Sequence, residues 1–494
     1  MNYTNPIIRG FYPDPSVCRA NGKYYMVCSS FQYFPGVPLF ESSDLVNWKQ
    51  IGHCFTRKSQ VQLEKIESSG GVFAATIRYN AGRFYVVTTN ATTHQNFYVY
   101  TDDIYGEWSE PIFVSQDGID PSLYFEGGKA YFLSNGTDDN GEGGVVQCEI
   151  ALETGEKLSP SRVIWKGSGG RFLESPHMYK IGDEYYLMAA EGGTEYGHMI
   201  TYARSSSIWG EFVGYPDNPV LTNRNLGGFT LQGMGHGDLI QDEYGDWHII
   251  HLGFRQIDPW LPFHHLGREV FMTPVTFRED GWFTAGADGT AAEAYEIQGS
   301  FVQKKKKLYT FENTEWNKDW CCLRHPCEEN YELHENFLRL HGSDITLDMA
   351  DSPTFIGIRQ RDFTGEISCE TELTGSGEVG ITLYMDENHH YDLAVRASQN
   401  GGCEVIERLN IGDVKAVQRA VPISDSNAKL IIRANNFCYT FYVSVGGEEL
   451  QLGSGQTRYL SSEVACGFTG VVIGLYAVGD GSVGEFRNFV CEYK

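Results

Sequence analysis

The chain has 494 residues, a formal net charge of −26 and an aromatic content of 14%. This charge argues against a nucleic-acid or acidic-lipid partner, because phosphate groups would be repelled, whereas neutral sugars remain compatible with it. The length favours more than one domain, and the frequent Tyr, Phe and Gly between short apolar runs are typical of an all-β chain.

The beginning of the chain predicts neither a secretory signal nor a membrane anchor. Pro6 interrupts the one short apolar run in the first residues, and no segment approaches the length of a membrane-spanning helix. The twelve cysteines contain no CxxC pair and no zinc-type spacing. Such scattered thiols favour a reducing compartment, so we expect a cytoplasmic enzyme.

Five segments of the first 290 residues repeat one pattern, in which a strand is followed by a Gly eight positions after the first residue and then by an aromatic-rich strand. The segments begin at Asp14, Ala74, Asp120, Glu174 and Gly237, and their glycines are Gly22, Gly82, Gly128, Gly182 and Gly245. Each segment predicts the inner hairpin of a four-stranded unit. Five such units predict a five-bladed β-propeller over residues 1–297, and five unrelated hairpins in a sandwich are the alternative.

The first position of the repeat is acidic in three of the five segments. In a propeller, the innermost strands line the central axis, so Asp14, Asp120 and Glu174 are expected to face one another. Like charges in a confined site repel, so a purely structural need for three converging acids is hard to find. The alternative is that each acid merely caps a turn, since Asp14 and Asp120 both precede Pro.

Three converging carboxyl groups suit the hydrolysis of a glycosidic bond. One carboxylic acid protonates the leaving oxygen while a carboxylate acts on the opposite face of the sugar. Burial and neighbouring carboxylates separate the two pKa values, so that one group stays protonated and the other ionised. A divalent-metal site is the other use of such a trio, and the residues alone leave both readings open.

Seven stretches across the predicted propeller resemble glycoside hydrolase family 43, in its β-xylosidase and α-L-arabinofuranosidase branch. They are NPIIRGFYPDPSV at 5–17, SSFQYFPGVPLFESSDLVNW at 29–48, GIDPSLYF at 118–125, LESPHMY at 173–179, AEGGTEYGH at 190–198, GHGDL at 235–239 and HLGREVFMTPV at 265–275. The resemblance implies that Asp14 is the general base, that Glu174 is the general acid, and that Asp120 raises the pKa of Glu174 and orients it. It also implies inversion of the anomeric configuration.

The same resemblance implies further roles around the first sugar subsite. Arg268 holds sugar hydroxyls, Phe31 forms an aromatic wall, and His236 lies beneath the carboxylates, next to a hydrated calcium ion in relatives. No cofactor is required for the chemistry, and a structural calcium ion at His236 stays open beside a purely structural role for this histidine. Phe73 stands where the xylosidase pattern has Trp, which alters the subsite that distinguishes xylose from arabinose.

The repeat ends near a basic run, so residues 298–308 are predicted to be a linker. Alternating segments beyond it predict an antiparallel β-sandwich over 309–494, and the stretches FIGIRQRDF and GITLYMDENHHYDL resemble the concanavalin-like module of many family 43 xylosidases. The stretch GFTG at 467–470 resembles a loop that inserts a phenylalanine into the propeller funnel. Phe468 would then restrict the enzyme to chain ends, and a core aromatic is the alternative.

The combined prediction is an exo-acting, inverting hydrolase that releases terminal β-D-xylosyl or α-L-arabinofuranosyl units from oligosaccharides. A dedicated α-L-arabinofuranosidase is the nearest alternative, and Phe73 favours it. A non-catalytic carbohydrate-binding propeller is the alternative of another class, although such a protein would need no trio of acids. The expected partner is an oligosaccharide, with neither nucleic acid nor membrane, and a homo-oligomer is compatible with the sequence.

Overall fold

The computed structural model describes residues 2–299, 311, 314–399 and 401–494. Within them the chain forms a five-bladed β-propeller followed by an antiparallel β-sandwich, which confirms the predicted all-β fold. Of the predicted linker 298–308, residues 300–308 lie outside the described part of the chain. No helix in the described part combines the length and the apolar character needed to cross a membrane.

Each propeller blade is a four-stranded antiparallel sheet whose strands follow one another along the chain. The blades consist of Ser16–Ala20, Lys23–Val27, Gly36–Ser42 and Lys49–Phe55; Val72–Asn80, Arg83–Asn90, Gln95–Thr101 and Ile112–Val114; Ile119–Glu126, Lys129–Thr137, Gly143–Ile150 and Arg162–Trp165; Glu174–Ile181, Glu184–Glu191, Met199–Ser205 and Val213–Gly214; Leu231–Gln241, Trp247–Arg255, Glu269–Phe277 and Phe283–Ala285. The first strand of each blade contacts the first strands of its two neighbours, so these five strands form a closed ring around the axis.

The turns and bulges of the inner hairpins explain the repeat. The five glycines of the repeat have φ between 63° and 93°, the left-handed region that glycine adopts without strain. In blades two to five the pairing of the first strand shifts register close to the first position of the repeat. Such β-bulges redirect side chains. Here they lie near the beginning of the strand that lines the axis.

The C-terminal domain packs two antiparallel sheets face to face around a single apolar core. In spatial order, the seven-stranded sheet consists of Tyr331–His334, Phe337–His341, Val483–Tyr493, Gly365–Thr374, Asn427–Ala434, Cys438–Val445 and Glu448–Gln456, and the six-stranded sheet consists of Thr354–Arg359, Val472–Val478, Glu378–Asp386, His389–Ala397, Cys403–Ile411 and Val414–Ile423. The remaining elements are the strand pairs Asn2–Thr4 with Ala294–Glu296 and Tyr33–Phe34 with Cys322–Leu323, the 3-10 helices Lys58–Gln60, Glu328–Asn330 and Thr457–Leu460, and the α-helix Ser462–Ala465.

The two domains are joined by an extensive buried contact. The guanidinium of Arg359, on the sandwich, is fully buried and lies 4.7 Å from the ring centre of Tyr12, with the rings of Phe11 and Tyr33 also within 6 Å. A cation held against several aromatic faces is stabilised without a carboxylate partner. Phe11 also lies against Phe31 of the propeller, with ring centres 5.8 Å apart.

Candidate active site

A cavity of about 570 Å³ opens at the axis of the propeller, and Asp14, Asp120 and Glu174 all line it. The three acids come from blades one, three and four, as the repeat predicts. Asp14 and Asp120 have φ of 55° and 53°, values that are uncommon for residues other than glycine. Backbone conformations of this kind persist where the surrounding structure enforces them, and they concentrate at functional sites.

Asp14 is the buried carboxylate that the site keeps ionised. Its Oδ1 accepts a hydrogen bond from Arg268 Nη1 at 2.9 Å, and its Oδ2 accepts one from the Ser29 hydroxyl. Burial alone would raise the pKa of Asp14, but the Arg268 guanidinium, His236 and the Ser29 bond outweigh it and lower this pKa below its usual value. An ionised carboxylate in this position can accept a proton from water.

Glu174 and Asp120 are a pair of interacting acids whose pKa values are both raised. Burial, and then the charge of Asp14, raise the pKa of Glu174 to about 7. Burial and the carboxylates of Glu174 and Asp14 raise the pKa of Asp120 well above its usual value. Interacting carboxyl groups titrate as a pair, so this pair holds a proton near neutral pH. Glu174 is only partly buried and faces the cavity, where its proton is accessible to a bound substrate.

Arg268 connects Asp14 with two segments that border the cavity, one at Thr194 and one at Phe468. Besides Asp14, it donates to Thr194 Oγ1 at 2.7 Å and to the carbonyl of Phe468 at 3.2 Å. Its guanidinium also lies 5.7 Å from the ring centre of Phe31. Four contacts of this kind fix the direction of a buried cation, which can then bind sugar hydroxyls in a defined place.

Three phenylalanines form one wall of the cavity. Phe31 stacks on Phe468 with ring centres 6.0 Å apart and 24° between the planes, and Phe73 lies 5.4 Å from Phe31 and 6.0 Å from Phe468. Phe468 belongs to the sandwich, is 41% exposed and is fixed by a 2.8 Å hydrogen bond from its N–H to Ser69 Oγ of the propeller. The structure therefore places Phe468 in the funnel and not in the core of the sandwich.

His236 lies under the acids, with its Nδ1 3.8 Å from Asp14 Oδ1 and 3.8 Å from Asp120 Oδ2. Burial lowers the pKa of His236 to about 4, so the imidazole is neutral near pH 7. Calcium prefers six to eight oxygen ligands. Among the residues that the structure describes, no group of three or more His, Cys, Asp or Glu side chains is arranged to hold a metal ion. These residues therefore do not fit an ion held directly by side chains.

Several residues that line the cavity were not predicted from the sequence. His198, Tyr196, His264 and Glu463 line the cavity, as does Thr194. Three of them fall in the stretch AEGGTEYGH, which carried the family resemblance but no assigned role. The signal available was the density of polar side chains in this loop between two strands, since such loops often carry functional residues.

The family model "Glycosyl hydrolases family 43" matches residues 3–283, more than half of the chain. The chain belongs to glycoside hydrolase family 43. A second model, "Beta xylosidase C-terminal Concanavalin A-like domain", matches residues 309–489. Hydrolases of this family act on chain ends and invert the anomeric configuration.

Relatives similar to this family 43 chain carry several activities in their names. A non-reducing end alpha-L-arabinofuranosidase of Bacteroides ovatus is 38% identical over 97% of this chain and 92% of its own length. A xylosidase/arabinosidase of Butyrivibrio fibrisolvens is 34% identical over 99% and 98%. The solved structure "Bacteroides ovatus Xyloglucan PUL GH43B" superposes with a TM-score of 0.93 over 100% of both chains at 37% identity. The structural similarity to this protein thus extends over both domains.

Proposed function

We propose that this hydrolase releases single terminal α-L-arabinofuranosyl or β-D-xylosyl units from oligosaccharides. The observation that carries the proposal is the trio of acids in one cavity, with Asp14 ionised beside Arg268 and Glu174 protonated up to about pH 7. The names of the two curated relatives support pentosides as substrates.

In the proposed mechanism, Asp14 takes a proton from water as that water attacks the anomeric carbon. Glu174 donates its proton to the departing glycosidic oxygen, so two carboxyl groups complete the reaction in a single displacement. Asp120 interacts with Glu174, so that the two acids share a proton, and it orients Glu174, while Arg268 binds hydroxyls of the terminal sugar. The residues of the chain carry out these steps without a cofactor.

The pKa values of the acids predict a pH profile. Glu174 must be protonated, so kcat/KM on a substrate with a poor leaving group should be half-maximal near pH 7 on the alkaline side and fall about tenfold per pH unit above it. Asp14 must be ionised, and its lowered pKa places the acid limb below the ordinary titration range of an aspartate. Initial rates between pH 3 and 10 test this, and a rate that stays constant from pH 6 to 9 would contradict the assignment of Glu174.

Phe468 is proposed to restrict the enzyme to chain ends by closing the funnel over the terminal sugar. Phe468→Ala removes the ring that stacks on Phe31, so we expect KM to rise about tenfold with a smaller change in kcat, in line with the loss of about 1.4 kcal/mol of binding. Steady-state rates on one aryl pentoside measure both constants, and Phe113→Ala, at another exposed phenylalanine, is the control. An unchanged KM would exclude this role.

The sugar preference is tested by initial rates on an aryl α-L-arabinofuranoside and an aryl β-D-xyloside. Phe73, in the wall with Phe31 and Phe468, favours a dedicated arabinofuranosidase as the second candidate, and the 38% identical relative is named as one. Turnover of the arabinofuranoside alone selects the second candidate, and turnover of both supports dual activity. Turnover of neither by the folded protein would contradict the proposed function.

A calcium ion coordinated mainly by water near His236, a homo-oligomer and a cytoplasmic location are also proposals. The calcium ion is tested by measuring the melting temperature with and without a chelator. An ion bound only to the folded state raises the melting temperature, so the chelator should lower it. Sedimentation tests the second. The third is supported by the twelve cysteines, none of which forms a disulfide in the described structure, and fractionation of cells tests it.

A further inference from the structure

A propeller loop, residues 66–69, holds the backbone of Phe468 at the cavity. Ser69 Oγ accepts a hydrogen bond from the N–H of Phe468 at 2.8 Å, and the carbonyl of Phe468 accepts one from Arg268 at 3.2 Å. Phe468 is thus fixed on one side by this loop and on the other by the guanidinium that contacts Asp14. The place of its ring in the funnel therefore depends on where the loop lies.

The loop is joined to the segment that carries Phe31 by one buried amide. Gln32 directly follows Phe31 and is fully buried. Its Oε1 accepts from the N–H of Ser69 at 2.9 Å, and its Nε2 donates to Ser68 Oγ at 3.2 Å. Since Phe31 stacks on Phe468, the two rings of this stack are connected through Gln32 and the loop as well as through their own contact.

Behind the loop lies a buried ion pair of the C-terminal domain, formed by Arg324 and Glu387. Arg324 Nη2 donates to Glu387 Oε1, and the same oxygen accepts the hydroxyl of Ser68 at 2.9 Å. The backbone N–H of Arg324 donates to the carbonyl of Gln32, and its Nε donates to the carbonyl of Ile66, both at 2.7 Å. The pair therefore holds both the loop and the residue next to Phe31.

The backbone conformations of this region require such an anchor. Phe31, Ser69 and Arg324 have φ of 50°, 67° and 56°, in the left-handed region that residues other than glycine rarely adopt. Conformations of this kind persist only where the surrounding structure enforces them. A weaker anchor would let the loop relax and would displace the ring of Phe468.

The chemistry of the pair suits orientation better than it suits stability. A buried ion pair adds little net stability, because the loss of hydration offsets the attraction between the charges. A guanidinium, however, donates from a rigid planar fork, so its bonds fix direction. Here the fork of Arg324 binds the carbonyls of Ile66 and Asp351 in addition to Glu387.

We propose that Arg324 and Glu387 are positioning residues that hold Phe468 in place for binding of the terminal sugar. They act through the loop and contact no reacting atom themselves. The inference rests on the proposed function, in which Phe468 closes the funnel over that sugar. Loosening the pair should weaken sugar binding and leave the chemical step intact, because Arg268 keeps its bond to Asp14.

Ser68→Ala tests this inference without disturbing the ion pair, because it removes only the hydroxyl that joins the loop to Glu387. We expect KM on an aryl pentoside to rise about fivefold, the effect of one lost hydrogen bond, with kcat within about twofold of the unaltered enzyme. Ser59→Ala is the matched control, since the Ser59 hydroxyl also donates to a glutamate, Glu110 at 3.1 Å, at an exposed place on the propeller. This control should leave KM unchanged.

Arg324→Lys is the second variant. It keeps a positive charge beside Glu387 but loses the planar fork that binds the loop, so KM should rise by at least as much as in Ser68→Ala. Combining Ser68→Ala with Phe468→Ala should raise KM no further than Phe468→Ala alone, because the ring that the loop positions is then absent. A merely structural role for the pair would make the two effects multiply.

Hydrogen exchange of the segment 466–470 measures the positioning of Phe468 independently of activity. Its amides should exchange about fivefold faster in Ser68→Ala and Arg324→Lys, but not in Ser59→Ala. A KM within about twofold of the unaltered value in both variants, multiplying effects in the double variant, or unchanged exchange would each overturn the inference. An unaltered enzyme that turns over neither aryl pentoside would overturn the proposed function, and the exchange rates would still decide whether the pair positions Phe468.

Discussion

Replacing Asp14 by Ala is expected to abolish hydrolysis of both oligosaccharides and aryl pentosides, with kcat lower by about 10³-fold or more, the upper range for a general base. The physical reason is that Asp14 is the carboxylate that the Arg268 guanidinium, 2.9 Å away, helps to keep ionised, so its removal takes away the base that activates water. An activated leaving group does not restore the rate, since the attack of water still lacks its base. Initial rates on both kinds of substrate measure the effect.

Two further proteins make this result interpretable. Asp14→Asn keeps the shape of the side chain near Arg268 and Ser29, so it separates the loss of the base from a disordered guanidinium. Asp183→Ala, in the exposed turn of blade four, controls for removal of an acid elsewhere in the propeller. A folded Asp14→Ala variant that keeps more than a tenth of the activity would exclude Asp14 as the base.

Replacing Glu174 by Ala is expected to separate substrates according to their leaving group. Oligosaccharides need a proton on the departing oxygen, so their kcat/KM should fall by about 10³-fold. Aryl pentosides with a nitrophenolate leaving group need little protonation, and their kcat/KM should fall only about tenfold. The alkaline limb near pH 7 should also disappear, because the group that causes it is absent.

Glu184→Ala is the matched control, since Glu184 lies in the same hairpin as Glu174 but at its opposite end. This control should behave as the unaltered enzyme does on both substrates. If Glu174→Ala lost activity equally on both substrates while it still bound pentose, the assignment of Glu174 as the acid would be wrong. The titration of product binding by calorimetry provides that binding measurement.

The propeller and its three acids were predictable because their signals are local. A glycine eight positions after each repeat start determines a turn, and five such turns imply five hairpins whose first residues converge on one axis. The β-bulges that direct Asp120 and Glu174 into the cavity were not predicted, because a register shift depends on the partner strand.

The cavity contacts between the propeller and the sandwich could not be predicted from local sequence patterns, because the residues that form them are far apart in sequence. Tyr196 and Glu463 are separated by 267 positions, and His264 and Glu463 by 199. No periodicity relates such positions, and only the docking of the sandwich on the propeller brings them together. Phe468 was predicted through family resemblance, whereas Glu463, five residues before it, has no distinguishing pattern in the sequence.

The configuration of the first sugar released tests the central claim most directly, because it reports whether water attacks with Asp14 as base or a carboxylate attacks first. Proton NMR of an aryl α-L-arabinofuranoside and an aryl β-D-xyloside during the first minutes of hydrolysis distinguishes the anomers before they equilibrate. The account predicts β-L-arabinose and α-D-xylose, the inverted products of a single displacement. Initial release of α-L-arabinose or β-D-xylose would mean a covalent intermediate and would contradict the roles given to Asp14 and Glu174.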